Sequence, residues 1–218
     1  MNYRIFVLPI IVLSFILASC NDKTTNPEPI NYESVTIGTQ VWMAKNLDVD
    51  HYSNGDPIPE VKDSAQWAKL TTGAWCYNNN DPALGAVYGK LYNWYAVNDS
   101  RGLAPDGWHL PSDEEWTTLS TYLGGDSIAG GKLKEAGTTH WQSPNTGATN
   151  ETGFSALPGR YRNNGGTFSV IGYYGYWWSS TELDTTNAWN KTLNYYNSRL
   201  GRYNSNKEDG FSVRCVKD

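Results

Sequence analysis

The sequence predicts an α+β domain that follows an export segment. Helical patterns lie in the first half of the chain, short β-like segments lie in the second half, and long loops rich in Gly, Asn, Ser and Thr connect them. The 218 residues suit one domain of ordinary size or two small ones. With 14% aromatic and only 18% charged residues, the composition excludes a disordered chain and a coiled coil.

Residues 1–19 are predicted to be a lipoprotein signal peptide. Arg4 precedes the segment from Ile5 to Leu17, which is apolar apart from Ser14 and is shorter than the about 20 residues needed to span a bilayer. Leu-Ala-Ser-Cys at 17–20 then matches the bacterial lipoprotein processing pattern, in which the Cys20 thiol accepts a diacylglycerol. The alternative is an ordinary secretory signal that happens to contain a cysteine.

Residues 20–34 are predicted to form a lipidated cysteine and a flexible tether, since they are polar, contain two prolines and show no apolar period. Two or more acyl chains hold a protein stably on a membrane. We therefore expect a lipid-anchored protein of the cell envelope, at the outer membrane or cell surface in preference to the inner membrane. The net charge of -5, without a basic block, argues against nucleic acid as a partner.

Residues 35–218 are predicted to be one domain, because no second linker or charge run interrupts them. Two short strands are expected at 35–37 and 40–42, around a turn at Gly38-Thr39. Apolar residues spaced by three and four then predict a helix over 89–97.

The clearest helix is predicted over Ser112 to Leu123. Ser112 and Glu115 have the spacing of a capping box, and the helix ends at two glycines. A second short helix is expected around 128–136, ending at Gly137.

The rest of the domain is predicted to be strands and loops. The β-like segments are 176–180, 188–195 and 211–216, and the long loops are 142–153 and 163–175. In the last strand Phe211, Val213 and Cys215 share one face, and Ser212 and Arg214 share the other.

Seven stretches of the domain form a series: GAWCYNNND (73–81), YGKLYNWYAV (88–97), GLAPDGWHLPSDEEWTTL (102–119), GGKLKE (130–135), SPNTGATNETGFSALPGRYRN (143–163), GYYGYWWSSTE (172–182) and GFSVRCVKD (210–218). In this order and spacing they resemble the Fibrobacter succinogenes major paralogous domain family. That family occurs in exported and surface-anchored bacterial proteins, often lipoproteins, and its biochemical role is not established.

Two shorter stretches carry a more distant resemblance. WHLPSDEEW (108–116) is similar to the RLPTEAEWE stretch of the formylglycine-generating, sulfatase-modifying family, and GFSVRCV (210–216) is similar to the closing strand of that family. Both families look like variants of the C-type lectin fold. The resemblance implies a C-type lectin-like fold with short mixed or antiparallel sheets, two or three helices, long functional loops and paired N- and C-terminal strands.

Departures from these families limit the functions that the resemblance implies. The sulfatase-modifying oxidases bind copper through a pair of active-site cysteines, which the closing-strand position of Cys215 does not support. Calcium-dependent C-type lectins carry Glu-Pro-Asn or Gln-Pro-Asp followed by Trp-Asn-Asp, and none of these tripeptides occurs here. We therefore expect no metal, no cofactor and no catalytic residue.

Cys76 and Cys215 are the cysteines that remain once Cys20 is lipidated. Two such cysteines in an exported protein predict a disulfide, and C-type lectin-like domains often tie an early element to the last strand. Closing a loop of about 140 residues stabilises a fold by roughly 4–5 kcal/mol in the chain-entropy model. Two separate buried thiols are the main alternative, and a catalytic or metal-binding role is the least favoured.

The remaining polar residues give no defined site. Nothing in their spacing places the three histidines together, and a zinc site needs closer spacing or more ligands. The acidic residues near the Asn-rich loops are interpreted as turn and loop residues. These histidines and acids are His51, His109, His140, Asp81, Glu182 and Asp184.

Aromatic residues cluster late in the chain among Asn, Ser, Arg and Gly. Aromatic faces beside polar side chains complement the CH faces and hydroxyls of sugars, and Tyr is favoured at adaptable binding surfaces. The alternative is an aromatic core with outward tyrosines covering a sheet. The candidates for ligand binding are Tyr173, Tyr174, Tyr176, Trp178, Trp189, Tyr196, Arg199 and Arg202.

These observations favour an envelope lipoprotein whose domain binds a ligand without catalysis, with glycans as the first ligand class. The alternative is a structural or adhesive surface protein that recognises protein partners. An enzyme related to the sulfatase-modifying oxidases is disfavoured, because the cysteine pair is not supported.

Overall fold

The computed structural model describes residue 1 and residues 31–218, and this part of the chain contains five α-helices, one 3-10 turn at Asn78–Asn80 and nine strands. The predicted signal peptide beyond residue 1, Cys20 and most of the predicted tether lie outside the described residues. Tyr32–Asp218 form one compact unit. No helix within the described residues has the length and apolar character to cross a membrane.

The elements confirm the α+β class. The helices are Ser64–Trp67 (α1), Pro82–Tyr88 (α2), Trp94–Val97 (α3), Asp113–Tyr122 (α4) and Asp126–Leu133 (α5). The strands are Ser34–Ile37 (β1), Gln40–Met43 (β2), Trp75–Tyr77 (β3), Lys90–Tyr92 (β4), Trp108–His109 (β5), Tyr174–Glu182 (β6), Asn187–Asn194 (β7), Gly201–Asn206 (β8) and Val216–Lys217 (β9). They form three antiparallel sheets, with strand orders β1-β2-β9-β5, β3-β4 and β6-β7-β8.

The predicted N-terminal hairpin is confirmed. β1 and β2 pair with Val35 opposite Trp42, and Gly38 makes the turn with a φ of 64°, which glycine adopts without steric cost. β2 also pairs with β9, through Trp42 and Val216. The first and last strands of the domain are thus in one sheet, as the lectin-like resemblance implies, and the C-type lectin-like assignment itself stays a prediction.

The predicted helix over 89–97 is wrong in its first half. Lys90–Tyr92 is a strand that pairs with Trp75–Tyr77, and only Trp94–Val97 is helical. Asn93 separates the two, since its extended backbone ends the strand and its side chain accepts a hydrogen bond from the backbone N–H of Ala96. The apolar spacing that suggested one helix is therefore shared between a strand and a single helical turn.

The two later helices are confirmed, with a shift in the second. α4 begins after Ser112 with the predicted capping box to Glu115. α5 spans Asp126–Leu133 and ends earlier than predicted, because Lys134 adopts an extended backbone and forms a bridge with Ala156.

The closing segment differs most from its prediction. Only Val216–Lys217 is a strand, whereas Phe211 and Ser212 form single bridges to Tyr92 and Trp177. Every residue from Phe211 to Val216 is buried. The segment runs through the core, so both of its faces are covered, and the alternation of side chains does not produce one exposed face.

Strand β6 separates the two largest parts of the core. Trp178 packs with Phe211 and Trp94 on one side, and Trp177 packs with residues of α4 and α5 on the other. Adjacent residues of a strand point to opposite faces, so each tryptophan anchors the sheet to a different cluster. This double anchorage fixes the sheet that carries the candidate site.

Candidate ligand-binding groove

The β6-β7-β8 sheet has one face that is partly open. Tyr176 of β6 pairs with Thr192 of β7, which pairs in turn with Gly201 of β8, and the Asn190–Tyr203 pair lies on the same face. The concavity on this face has a volume of about 650 Å³, within the range of small-molecule sites. We call it the tyrosine groove, lined by Tyr174, Tyr176, Asn190, Thr192, Asn194, Tyr196, Asn197, Arg199, Gly201, Tyr203 and Ser205.

The inner tyrosines of the groove are held by the core. The ring of Tyr176 stacks on buried Phe211, with centroids 5.1 Å apart and planes 22° apart, and Phe211 packs on Trp178. Tyr174 lies between Tyr176 and Tyr196, at centroid distances of 5.9 Å and 6.4 Å. Since packed rings lose little further freedom when a ligand binds, this row is preorganised.

The two inner tyrosines, Tyr174 and Tyr176, also present neutral hydroxyls. Burial raises the pKa of Tyr176 well above its ordinary range, and burial followed by the Tyr196 hydroxyl raises the pKa of Tyr174. Tyr196 and Tyr203 remain 52% and 55% exposed. The groove therefore has two solvent-exposed rings, Tyr196 and Tyr203, beside the two packed rings of Tyr174 and Tyr176. The hydroxyl of a tyrosine can donate or accept a hydrogen bond.

The floor of the groove is polar and internally hydrogen-bonded. Thr192 donates from its hydroxyl to the Asn190 Oδ1, at 3.1 Å, and the Asn190 Nδ2 donates to the Ser205 hydroxyl, at 3.0 Å. Asn190 and Thr192 are buried. These bonds orient the floor, and the Ser205 O–H remains available as a donor.

Gly201 makes room in this floor. It lies beside Thr192 in the register, and a Cβ at this position would overlap the ring of Tyr203. The absence of a side chain lets the Tyr203 ring lie across the end of β8. A larger residue at 201 would displace that ring.

The rim of the groove is positioned by a buried lysine. The Lys134 Nζ donates to the backbone carbonyls of Thr146, Asn194 and Asn197, each at 3.0 Å, and Lys134 is fully buried. Burial lowers the pKa of Lys134 to about 8. Because Asn194 and Asn197 line the groove, this ammonium sets the geometry of the turn between β7 and β8.

A second hollow adjoins the tyrosine groove. It has a volume of about 400 Å³ and shares Tyr174 and Tyr176 with the groove. We call it the valine hollow; its lining residues are Tyr161, Ser169, Val170, Tyr173, Tyr174 and Tyr176. The two concavities therefore meet at a wall of two tyrosine rings.

The structure gathers some of the predicted ligand-binding residues and separates others. Four of the eight candidates line the tyrosine groove, namely Tyr174, Tyr176, Tyr196 and Arg199. Tyr173 lies in the valine hollow, with 37% of its surface exposed.

Three predicted ligand-binding residues are placed elsewhere. Trp178 is buried in the core, where its Nε1 donates to the Tyr92 carbonyl, so no ligand reaches it. Arg202 and Trp189 lie on the other face of the sheet, where Arg202 stacks over Trp189 and pairs with Asp113 of α4 at 2.7 Å. Strand alternation separates them from the groove.

The polar floor and Tyr203 were missed as candidate site residues. Asn190, Thr192 and Asn194 alternate along β7, which is the spacing of one strand face. This polar alternation next to an aromatic strand was the available signal. The partner strand β8 was not predicted, so its contribution of Tyr203 and Ser205 was not evident.

A comparison with known families matches nearly the whole domain that carries the groove. The model of the Fibrobacter succinogenes major domain matches residues 35–217. The chain belongs to this family. The resemblance noted in the sequence is thereby confirmed, and no curated protein matches the chain.

The predicted disulfide of this Fibrobacter succinogenes major domain is wrong in the structure. Cys76 and Cys215 are free thiols. Cys76 packs with Trp67 and Leu91, whereas Cys215 lies in a different core cluster. Burial raises the pKa of both thiols, that of Cys76 to about 12, so both remain neutral.

The histidines of the domain lie apart, each beside a carboxylate. His51 pairs with Asp50, His140 with Glu135, and His109 with both Glu115 and Asp218. Among the described residues, no group of three or more His, Cys, Asp or Glu has the arrangement of a metal site.

The three acidic candidates have structural partners. Asp81 caps α2 by accepting from the backbone N–H of Ala83, Glu182 pairs with Lys207, and Asp184 accepts from the backbone of its own turn at 186–187. The contacts of Asp81 and Asp184 support the interpretation of these acids as turn residues, whereas Glu182 is the last residue of β6.

Proposed function

We propose that this protein is a lipid-anchored component of the cell envelope whose domain binds a glycan, without catalysis, in the tyrosine groove. The observation that carries the proposal is a row of core-anchored tyrosine rings above a polar floor of amides and hydroxyls. Flat rings complement the CH faces of sugars, and the amide and hydroxyl groups complement their hydroxyls.

Free polar groups at the rim support this proposal. The side-chain amide oxygens of Asn194 and Asn197 accept from backbone N–H groups, at 3.0 Å and 2.9 Å, which leaves their NH₂ groups free to donate toward a ligand. Arg199 is exposed at the same rim. A ligand rich in hydroxyls has acceptors for all of these donors.

The non-catalytic part of the proposal rests on the state of the reactive side chains. The two thiols are buried and neutral, and the groove lining contains no carboxylate, cysteine or histidine. Tyr, Ser and Thr hydroxyls do line the groove, but a hydroxyl nucleophile is activated by an adjacent general base, and the groove lining has no carboxylate or histidine to serve as that base.

The test is binding of the mature protein to an array of envelope and plant polysaccharides. Tyr203→Ala and Tyr196→Ala remove exposed rings and are expected to weaken binding by about tenfold each, as for an aromatic residue central to an interface. Tyr122→Ala is the matched control, since Tyr122 is 65% exposed on α4 and lines neither concavity.

Two results would contradict glycan binding. One is the absence of any polysaccharide ligand for the folded protein. The other is equal binding by the wild type and both groove variants, which would place the ligand elsewhere. Trp178→Ala is unsuitable here because that ring is in the core, and its loss would unfold the domain before it reported on binding.

The anchor is tested separately. Growth of the producing bacterium with a labelled fatty acid is expected to label the wild type and not Cys20→Ser. An unlabelled wild type, processed at another position, would contradict lipidation and favour an ordinary secretory signal.

A second candidate function is recognition of a protein partner. The groove lining combines Tyr with Asn, Ser and Gly, which is also the composition of adaptable protein-binding surfaces. Crosslinking in the intact envelope followed by mass spectrometry separates the two functions: one recurrent protein crosslinked near Tyr203 favours this candidate.

A further inference from the structure

The tyrosine groove and the valine hollow are adjacent and differ in chemistry. The groove has a floor of amides and hydroxyls, whereas the valine hollow has Val170, which is 66% exposed, among tyrosines. The rings of Tyr174 and Tyr176 form the wall between them, and both rings are fixed by packing. A ligand that crosses this wall contacts aromatic surface on both sides.

Few charged side chains line the path from the tyrosine groove across the Tyr174–Tyr176 wall into the valine hollow. Arg199 is the one charged residue that lines either concavity within the described residues. The charges of Lys191 and Arg202 lie on the opposite face of the sheet, where both pair with Asp113. No acidic side chain lines the path to attract a cation, and one exposed arginine gives little attraction for a polyanion in a chain of net charge -5.

We propose that the tyrosine groove and the valine hollow are two subsites of one site, which takes a linear, uncharged polysaccharide across the Tyr174–Tyr176 wall. This inference rests on the proposed function and specifies its ligand class. Short fragments of the chain occupy the larger and more polar tyrosine groove. Longer fragments also occupy the valine hollow.

The experiment measures the affinity of the full mature protein for a size series of one neutral glycan, from the disaccharide to the hexasaccharide. Wild-type affinity is expected to rise with length until both subsites are filled. Tyr173 lines the valine hollow and not the tyrosine groove, so Tyr173→Ala is expected to lower affinity for the long fragments by about tenfold and to change affinity for the short ones much less. Val170→Asp is a second variant, at an exposed position that tolerates substitution.

Controls separate this inference from the proposed function. Tyr203→Ala is expected to lower the affinity for short and long fragments by the same factor, because it alters the groove that both occupy. Arg199→Gln removes the charge and keeps one hydrogen-bond donor at the groove rim, so it is expected to weaken binding of the neutral series by the same factor at every fragment length.

Three outcomes overturn the inference while leaving glycan binding in place. The first is an affinity that does not depend on fragment length. The second is an equal loss of affinity for short and long fragments in the valine-hollow variants. The third is tighter binding of acidic glycans that depends on Arg199. Absence of binding to every glycan overturns the inference and the proposed function together.

Discussion

Three buried cations organise the domain at the residue scale. Lys134, Arg162 and Arg214 each have at most 1% of their surface exposed, and no carboxylate pairs with them within residues 31–218. Backbone carbonyls satisfy them instead, together with the Asn46 amide oxygen for Arg214. Each cation therefore ties together chain segments that are distant in sequence.

Replacing Lys134 with Met tests the ammonium at the groove rim. The variant removes the ammonium from three backbone carbonyls, of which that of Thr146 still accepts from the Ser198 hydroxyl, and we expect a loss of about 2–4 kcal/mol in the free energy of unfolding. Urea unfolding measures it. Lys132→Met is the control, since Lys132 lies on the same helix and forms only a partly exposed ion pair, which predicts a change below about 1 kcal/mol. Equal losses in both variants would show that the carbonyl contacts contribute nothing.

Asp209 predicts a pH dependence of stability. Burial raises the pKa of its carboxyl to about 6, although the group accepts from the backbone N–H of Asn164. Between about pH 4 and pH 6 the folded protein keeps a proton that the unfolded chain has lost, so this group makes stability fall as pH rises, by at most about 3 kcal/mol.

The measurement compares the wild type with Asp209→Asn by urea unfolding at several pH values. The amide cannot titrate, so the stability of the variant relative to the wild type is expected to increase from pH 4 to pH 7. A difference that is independent of pH would mean that the Asp209 carboxyl has its ordinary pKa in the folded protein.

At the scale of elements, α4 and the late sheet are joined through one carboxylate. Asp113, in the first turn of α4, pairs with Lys191 of β7 at 3.0 Å and with Arg202 of β8 at 2.7 Å. The Lys191 side chain is only 3% exposed. The face opposite the tyrosine groove is thereby fixed to a helix, which keeps β7 and β8 in place while the groove face stays open.

Asp113→Ala is expected to destabilise the fold by about 3 kcal/mol, because it leaves the buried Lys191 charge without a partner. Thermal or urea unfolding measures the loss. The neighbouring Glu114 is exposed on the same helical turn, and Glu114→Ala is expected to cost less than about 0.5 kcal/mol. If the two variants lose the same amount, the ion pair across α4 and the sheet has no specific role.

At the scale of the whole molecule, Cys76 and Cys215 lie in separate core clusters and are free thiols. We expect the thermal midpoint of the protein to be the same with and without dithiothreitol. A disulfide that closes a loop of about 140 residues would instead contribute roughly 4–5 kcal/mol, and its reduction would lower the midpoint by many degrees. Such a drop would show that the cysteines are bonded.

Local signals in the sequence predicted more than long-range ones. The hairpin turn at Gly38 and the capping box from Ser112 to Glu115 involve residues a few positions apart, and both were predicted correctly. The 89–97 segment was wrong in its first half and the closing strand was predicted too long, because strand pairing and burial on both faces depend on partners far along the chain. Arg214 illustrates this, since its contacts are Ala44, Asn46 and Phe154.

The candidate site, too, was predicted where the signal is local and missed where it depends on long-range contacts. The aromatic cluster was visible in the sequence, and three of its predicted tyrosines line the groove together with the predicted Arg199. The strand register turns Trp189 and Arg202 away from the groove, and packing buries Trp178 under Phe211. Both features arise only when three strands and the closing segment assemble. The floor residues on β7 and β8 required the same assembly.

The ammonium of Lys134 has a consequence for the conditions under which the groove is formed. Backbone carbonyls from neighbouring loops are ligands that a calcium ion also takes, and here a positive charge fixed to α5 binds three of them. A covalently attached cation is not lost by dilution and is not removed by a chelator. We therefore expect the Asn194–Asn197 turn, and with it the rim of the tyrosine groove, to keep its shape in calcium-free buffer.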